Sequence, residues 1–127
     1  MEANKIIVTG GATRIGAAIA KKLSGPNIEM VIHYNKSKNK AEILKRQLIM
    51  NGTKVYLVKG DLSKEKDLNK IVKFAKLKLK FFNCLINNAS LFENDKLESF
   101  STNSWGKHLR TNLRTPALLS KEFAKNI

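Results

Sequence analysis

Short apolar runs alternate along this chain with stretches in which apolar residues return every three or four positions. Lys5 to Thr9 is brief, apolar and rich in β-branched residues, and it ends at glycines. Ile15, Ile19 and Leu23 then recur at helical spacing, with Ala17, Ala18 and Ala20 keeping that helix slim, and Gly25-Pro26 stops it. Met30-Val31-Ile32 predicts a second strand, and Ala41, Leu44 and Leu48 give the following helix one apolar face, ended by Asn51-Gly52. Val55 to Val58 predicts a third strand leaving at Gly60-Asp61. Leu68, Ile71, Val72, Ala75 and Leu79 draw a third amphipathic stripe, with lysines on the other faces. Cys84-Leu85-Ile86 is a fourth, wholly apolar strand. After a polar loop, Ser104 is the expected N-cap of a last helix carrying Leu109, Leu113 and Leu119, with Trp105 and Leu109 packing it. Pro116 is expected to kink or divide that helix.

Strands alternating with helices of this length form βαβ units with right-handed crossovers, and therefore a parallel sheet. The expected fold is an α/β parallel sheet of about four strands. No repeat, low-complexity tract or interdomain linker interrupts residues 1–127, which read as a single domain.

Composition adds less. The net charge is +14, but 20 of the 24 cations are Lys and only 4 are Arg, spread over nearly every surface segment. Base readout and bidentate phosphate grip favour Arg, and 13 Asn and 11 Ile beside the lysines point to codon bias. A nucleic-acid partner is therefore disfavoured. The apolar run Ile6-Ile7-Val8 is too short for a signal-peptide core, and no stretch approaches a membrane span. A single cysteine, Cys84, excludes an internal disulfide and a cysteine metal cluster, so the cytoplasm is the expected compartment. His33 and His108 lie far apart without supporting carboxylates, and no metal site is expected.

The candidate chemistry begins where the first strand runs into Thr9-Gly10-Gly11-Ala12-Thr13-Arg14-Ile15-Gly16 and then directly into a helix. Glycines let the backbone turn tightly beside a ligand, and a helix N-terminus offers free N–H groups and a positive dipole end to a pyrophosphate. A dinucleotide site selective for NAD normally carries Asp or Glu about 20 residues past the glycines. Here the run is His33-Tyr34-Asn35-Lys36-Ser37 and has no acid. A cation with hydroxyl and amide donors suits a 2′-phosphate, so NADP(H) is the expected coenzyme; a merely solvated basic loop is the plainer alternative.

Thr9, Gly10, Ile15 and Gly16 resemble the TGxxxGxG fingerprint of the short-chain dehydrogenase/reductase family, with Arg14 where the middle glycine usually stands. That departure resembles the pteridine reductases within the family, whose arginine reaches the coenzyme phosphates. Their HYxRS run is similar to residues 33–37, with Lys36 in place of the arginine. The resemblance implies further roles in chain order. Asp61-Leu62 matches the adenine-contacting pair. Asn87-Asn88-Ala89-Ser90 matches the family's NNAG, with Asn88, Ala89 and Ser90 walling the coenzyme. Phe92 takes the place of the aromatic that stacks a pterin, and Asn112 that of the tetrad asparagine, which holds a water of the proton relay.

The resemblance implies a Rossmann-type doubly wound parallel sheet, truncated to about four strands in the order 3-2-1-4, and it covers about half of a complete family member. Such a sheet leaves the fourth strand as an uncovered edge, which invites self-association or a complementary chain. The family's acid/base pair, YxxxK, is expected several tens of residues beyond Asn112, where only fifteen residues remain. Tyr34 and Tyr56 are assigned to the second and third strands, outside that position. The expectation is a truncated or split NADP(H)-dependent reductase of carbonyl or pterin type, inactive by itself. The alternatives are a nucleotide-binding module without turnover and a basic nucleic-acid binder on the same scaffold. Leu113 and its neighbours match the family's subunit interface.

Overall fold

A computed structural model describes residues 3–125. Its order is β1 (Asn4–Val8), α1 (Arg14–Leu23), β2 (Ile28–Tyr34), α2 (Lys38–Met50), β3 (Lys54–Lys59), α3 (Glu65–Leu79), β4 (Cys84–Ile86), α4 (Thr102–Leu109) and α5 (Thr115–Lys125). A π-helical turn, Arg110–Arg114, joins the last two helices. The four strands are parallel, as the βαβ pattern predicts, and lie in the order β3-β2-β1-β4 that the resemblance implies.

The period-two alternation of the strands supplies both faces of the sheet. Ile6, Val8, Met30 and Ile32 face α1 and α2 and meet Leu44 and Leu48. Ile7, Val31 and Val58 face the other layer and meet Leu68, Ile71, Leu79 and Leu119. Met30, Val31 and Ile32 are 0% exposed, which is why β2 reads as a continuous apolar run rather than an alternating one. Truncating Met30 or Ile32 to Ala would cost about 2–5 kcal/mol through lost transfer energy and the cavity left behind.

Three expectations are corrected. The face of α1 on the sheet is Gly16 and Ala20, not the predicted Ile15–Ile19–Leu23 stripe; Ile15 is 70% exposed. Small residues win because they let the helix lie close to β1, and the isoleucine then points across the strand ends. The N-cap of α4 is Ser101, whose hydroxyl accepts the Ser104 N–H at 3.0 Å, rather than Ser104 itself. Trp105 and Leu109 do not pack α4 on the core: both are exposed, Trp105 lying against Phe100. Leu113 is exposed as well, whereas Leu119 is buried as expected; Thr111 and Thr115 complete the inward face, because the π-helical turn shifts its register. That turn precedes Pro116 and divides the expected long helix, in keeping with a ring that removes one helical N–H.

Candidate functional site

The carboxyl ends of β1, β2 and β4 meet at one mouth. A cavity of about 710 Å³ opens there, lined by Gly10, Thr13, Arg14, Ile15, His33 to Ser37, and Asn88 to Leu91. A smaller hollow of about 170 Å³ adjoins it and shares His33, Asn35, Lys36, Ala89 and Ser90. Asp61, Leu62, Ser63, Lys107 and Thr111 complete its wall. The predicted residues of four separate segments thus converge on one place.

The glycine turn is built to close tolerances. Gly10 has φ +61°, a backbone conformation that favours glycine. A Cβ on Gly16 would lie 2.2 Å from the Gly10 carbonyl oxygen and 2.6 Å from the Asn88 amide nitrogen. Gly16 is buried beneath the turn rather than in the mouth, so its role is to let α1 approach. Arg14 stands at φ +52°, in the left-handed region where a side chain carries strain. A glycine at that position would carry none, which gives a physical reason for the middle glycine of the fingerprint. Thr13, the N-cap of α1, makes no side-chain cap, and Thr13, Arg14 and Ile15 at the start of this ten-residue helix line the mouth.

The next layer holds these groups in place. The Thr9 hydroxyl accepts the N–H of Asn88 at 3.1 Å and of Ala89 at 3.0 Å, while itself donating to the Ile86 carbonyl at 3.4 Å. The Asn88 amide donates to the carbonyls of Thr9 at 3.1 Å and Gly10 at 3.0 Å. Thr9 and Asn88 therefore rivet β1 to β4. Asn87 turns away and donates to the Ser120 hydroxyl at 3.3 Å.

His33 is 3% exposed and its imidazole points into the protein. Its Nδ1 accepts the Gly10 N–H at 3.0 Å and its Nε2–H donates to the Gly60 carbonyl at 2.7 Å. Burial holds the imidazole below its ordinary pKa of 6.5, against the Gly60 carbonyl, Asp61 and Asp67, which pull the other way. Tyr34 and Ser37 are half-buried, and Asn35 and Lys36 are exposed at the rim. Tyr34 and Lys38 do stand four residues apart, yet one ends β2 and the other begins α2. They share no helix face, so the spacing does not make a YxxxK pair.

Asp61 accepts the Ser63 hydroxyl at 2.7 Å and the Ser63 N–H at 2.9 Å. Burial raises its carboxyl, but those bonds and the charges of Lys64 and Lys107 outweigh it and hold the group below its usual range. The Leu62 side chain is 4% exposed and belongs to the core, leaving its backbone to line the hollow. This loop is fixed from above by Thr115, whose hydroxyl donates to the Leu62 carbonyl at 2.6 Å, and by Arg110, whose Nε–H donates to the Ser63 carbonyl at 3.0 Å.

Two predicted residues lie elsewhere. Phe92 is 83% exposed and lines a separate hollow of about 430 Å³ with Leu97, Phe100, Trp105 and Leu109. Asn112 spends both ends of its amide on Leu91, accepting its N–H and donating to its carbonyl, each at 2.8 Å. Sequence reasoning did not single out Ser63, Lys107 and Thr111. Ser63, two residues past Asp61, was findable as an Asx-type turn partner. Lys107 reaches the hollow only through the packing of α4 and Thr111 through that of the π-helical turn, and nothing in their neighbourhood along the chain marks them. Among the described residues no group of three or more His, Cys, Asp or Glu side chains gathers as a metal would require, and no helix is long and apolar enough to cross a membrane.

This arrangement of glycine turn, open helix end and strand-end mouth defines a dinucleotide-binding α/β fold. The profile of the short chain dehydrogenase family matches residues 4–127, and the chain belongs to that family. It is 31% identical over 113 residues to the short-chain dehydrogenase/reductase FrzI of a Cladobotryum species, covering 89% of this chain and 44% of that protein. Among solved structures it is similar to alternative dihydrofolate reductase 1 (FolM) of Brucella canis complexed with NADP, at 32% identity and a TM-score of 0.87, covering 98% of this chain and 50% of that one. A short chain dehydrogenase from Burkholderia cenocepacia in complex with NADP aligns with a TM-score of 0.92 at 25% identity, over 99% of this chain and 51% of the other. The chain spans about half the length of these relatives.

Proposed function

We propose that this chain is the coenzyme-binding half of an NADP(H)-dependent oxidoreductase. The observation that carries the reading is the company Arg14 keeps. Its strained backbone places a cation beside the open N-terminus of α1, on the same cavity as Asn35, Lys36 and Ser37. No carboxylate from residues 33–37 competes there. A 2′-phosphate suits Arg14, Lys36 and the Ser37 hydroxyl, and the pyrophosphate suits the first-turn N–H groups. The hollow of about 170 Å³ beside Asp61 and Thr111 is assigned to the adenine in this reading. The NADP complexes of the Brucella and Burkholderia relatives support the same coenzyme.

NADPH would supply the hydride; the residues of this chain bind and orient. Thr9 and Asn88 hold the β4 end of the mouth, so that Ala89 and Ser90 wall the nicotinamide side. The general acid that a reduction requires must sit within hydrogen-bond reach of the reacting oxygen. In this reading it belongs to the portion of the relatives that this chain does not span. The free outer edge of β4 and the exposed Phe92, Leu97, Trp105, Leu109 and Leu113 favour completion by further polypeptide, whether a complementary segment or a second copy. A pterin or other flat carbonyl substrate is the reading for the complete enzyme, supported by the likeness to an alternative dihydrofolate reductase. The same reading puts the protein in the cytoplasm, where NADPH and reduced thiols coexist.

The test is a titration of NADPH and NADH, followed by the rise in nicotinamide fluorescence. Tighter binding of NADPH, with the preference lost in Lys36→Ala, supports the reading. Equal binding of both, unaffected by that substitution, removes it.

A further inference from the structure

The resemblance counts His33 in the coenzyme-binding run of residues 33–37, and a coenzyme donor would have its side chain facing the mouth. The side chain instead reaches into the protein and joins two strand ends: Gly10 at the turn after β1, and Gly60 at the end of β3. The His33 carbonyl adds a third tie, accepting the Gly11 N–H at 3.0 Å. Both ring nitrogens are in use, with opposite polarity. The Gly10 N–H requires a bare Nδ1, and the Gly60 carbonyl requires Nε2–H. Only the neutral Nε2–H imidazole fits both.

We infer that His33 is a positioning residue that sets the glycine turn for coenzyme, and that it holds the turn only while its ring is neutral. The inference rests on the coenzyme reading above. A second proton on the ring would place Nδ1–H against the Gly10 N–H, two donors face to face. Either the turn or the ring must then move. Gly10 has little freedom to follow without loss elsewhere, because its carbonyl is held by Asn88 and a Cβ-sized displacement meets Ala89 at 2.9 Å. Asp61 beyond β3 and Asp67 on α3 face the ring with negative charge, while Lys36 and Arg14 line the adjoining cavity with positive charge. Burial nonetheless keeps the ring neutral through pH 7. Coenzyme affinity is therefore full above pH 6.5 and falls as acid titrates the ring.

The experiment measures the Kd of NADP+, which is stable in acid, from pH 8 to pH 5, within the range where circular dichroism shows the chain folded. The 2′-phosphate itself titrates near pH 6, so the reading is the comparison with His33→Asn. The Asn Oδ1 can take the place of Nδ1 as acceptor but does not titrate. Wild type is expected to lose affinity more steeply than His33→Asn on the acid side, by up to about tenfold per pH unit for one linked proton. His33→Phe, which offers Gly10 no acceptor, is expected to bind weakly at every pH. A merely structural histidine would move the melting temperature but not the difference in pH slope. Parallel profiles for wild type and His33→Asn overturn the inference and leave the coenzyme reading standing. Absence of NADP+ binding by wild type at every pH overturns both.

Discussion

Replacing Gly16 by Ala tests whether the close approach of α1 to the strand ends is what makes this site. The added Cβ would lie 2.2 Å from the Gly10 carbonyl oxygen, 2.6 Å from the Asn88 amide nitrogen and 2.9 Å from the Gly11 Cα. Two of these are backbone atoms and the third is anchored by two hydrogen bonds, so none can swing aside as the tip of a free side chain would. Restoring ordinary contact requires α1 and the turn to separate by roughly 1 Å, an overpacking that costs about 1–3 kcal/mol. The shift also loosens the Asn88 bonds, each worth about 1 kcal/mol. Against this, Ala is the better helix former by about 1 kcal/mol. The balance is a net loss of about 1–3 kcal/mol, read from the midpoint of urea unfolding, together with at least tenfold weaker NADP+ binding, in line with the cost of about 1 Å of misplacement at a binding site. The paired control is Ala18→Gly, at an exposed position of the same helix. It is expected to cost about 1 kcal/mol by propensity while leaving affinity unchanged. If Gly16→Ala is as stable as wild type and binds NADP+ equally well, the packing argument for the turn is wrong.

Three further outcomes follow from the same geometry. Arg14→Gly relieves a left-handed residue, worth about 1 kcal/mol, and returns a similar amount as chain entropy in the unfolded state; stability should change little in urea unfolding while the preference for NADP+ over NAD+ drops about tenfold or more. Thr9→Val keeps the shape of a residue 2% exposed but strands the Ala89 N–H, while the Asn88 N–H keeps the Ile86 carbonyl at 3.1 Å, and should lower stability in urea unfolding by about 1–3 kcal/mol, the cost of one unsatisfied donor. For pH, the His33 pKa is lowered in the folded protein, so the unfolded chain takes the proton first. Its stabilising effect is whole above pH 6.5 and is lost as pH falls through the folded value, and His33→Asn should flatten that part of the melting-temperature profile. Asp61, also lowered, acts only below its ordinary 3.8, so the two contributions separate along the pH axis.

The sheet was readable because its signals are local. Each strand is a short apolar run and each helix an amphipathic stretch; their alternation implies a parallel sheet, while the order β3-β2-β1-β4 followed from the family resemblance. The residues of the mouth were readable as segments for a related reason: all lie at the carboxyl ends of strands, where open α/β sheets place their ligands. What escaped is non-local. That α1 would bury Gly16 and Ala20 rather than Ile15 depends on how closely a helix approaches β1, which no periodicity states. That His33 would turn inward depends on a carbonyl at Gly60, 27 residues away, and on an N–H at Gly10. The exposure of Trp105 and Leu109 depends on the π-helical turn, whose only sign in sequence is Pro116 just beyond it. Asn112 was marked by resemblance, but its partner Leu91 lies 21 residues earlier, in a loop without pattern.

The most direct measurement separates the extra phosphate from the rest of the coenzyme. Calorimetric titration with 2′,5′-ADP and with 5′-AMP compares two ligands that differ only at the 2′ position. One charge-assisted contact is worth about 1.5–3 kcal/mol, so 2′,5′-ADP should bind at least about tenfold tighter, and Arg14→Gly combined with Lys36→Ala should bring the two together. Equal affinities in the wild-type chain would contradict the account.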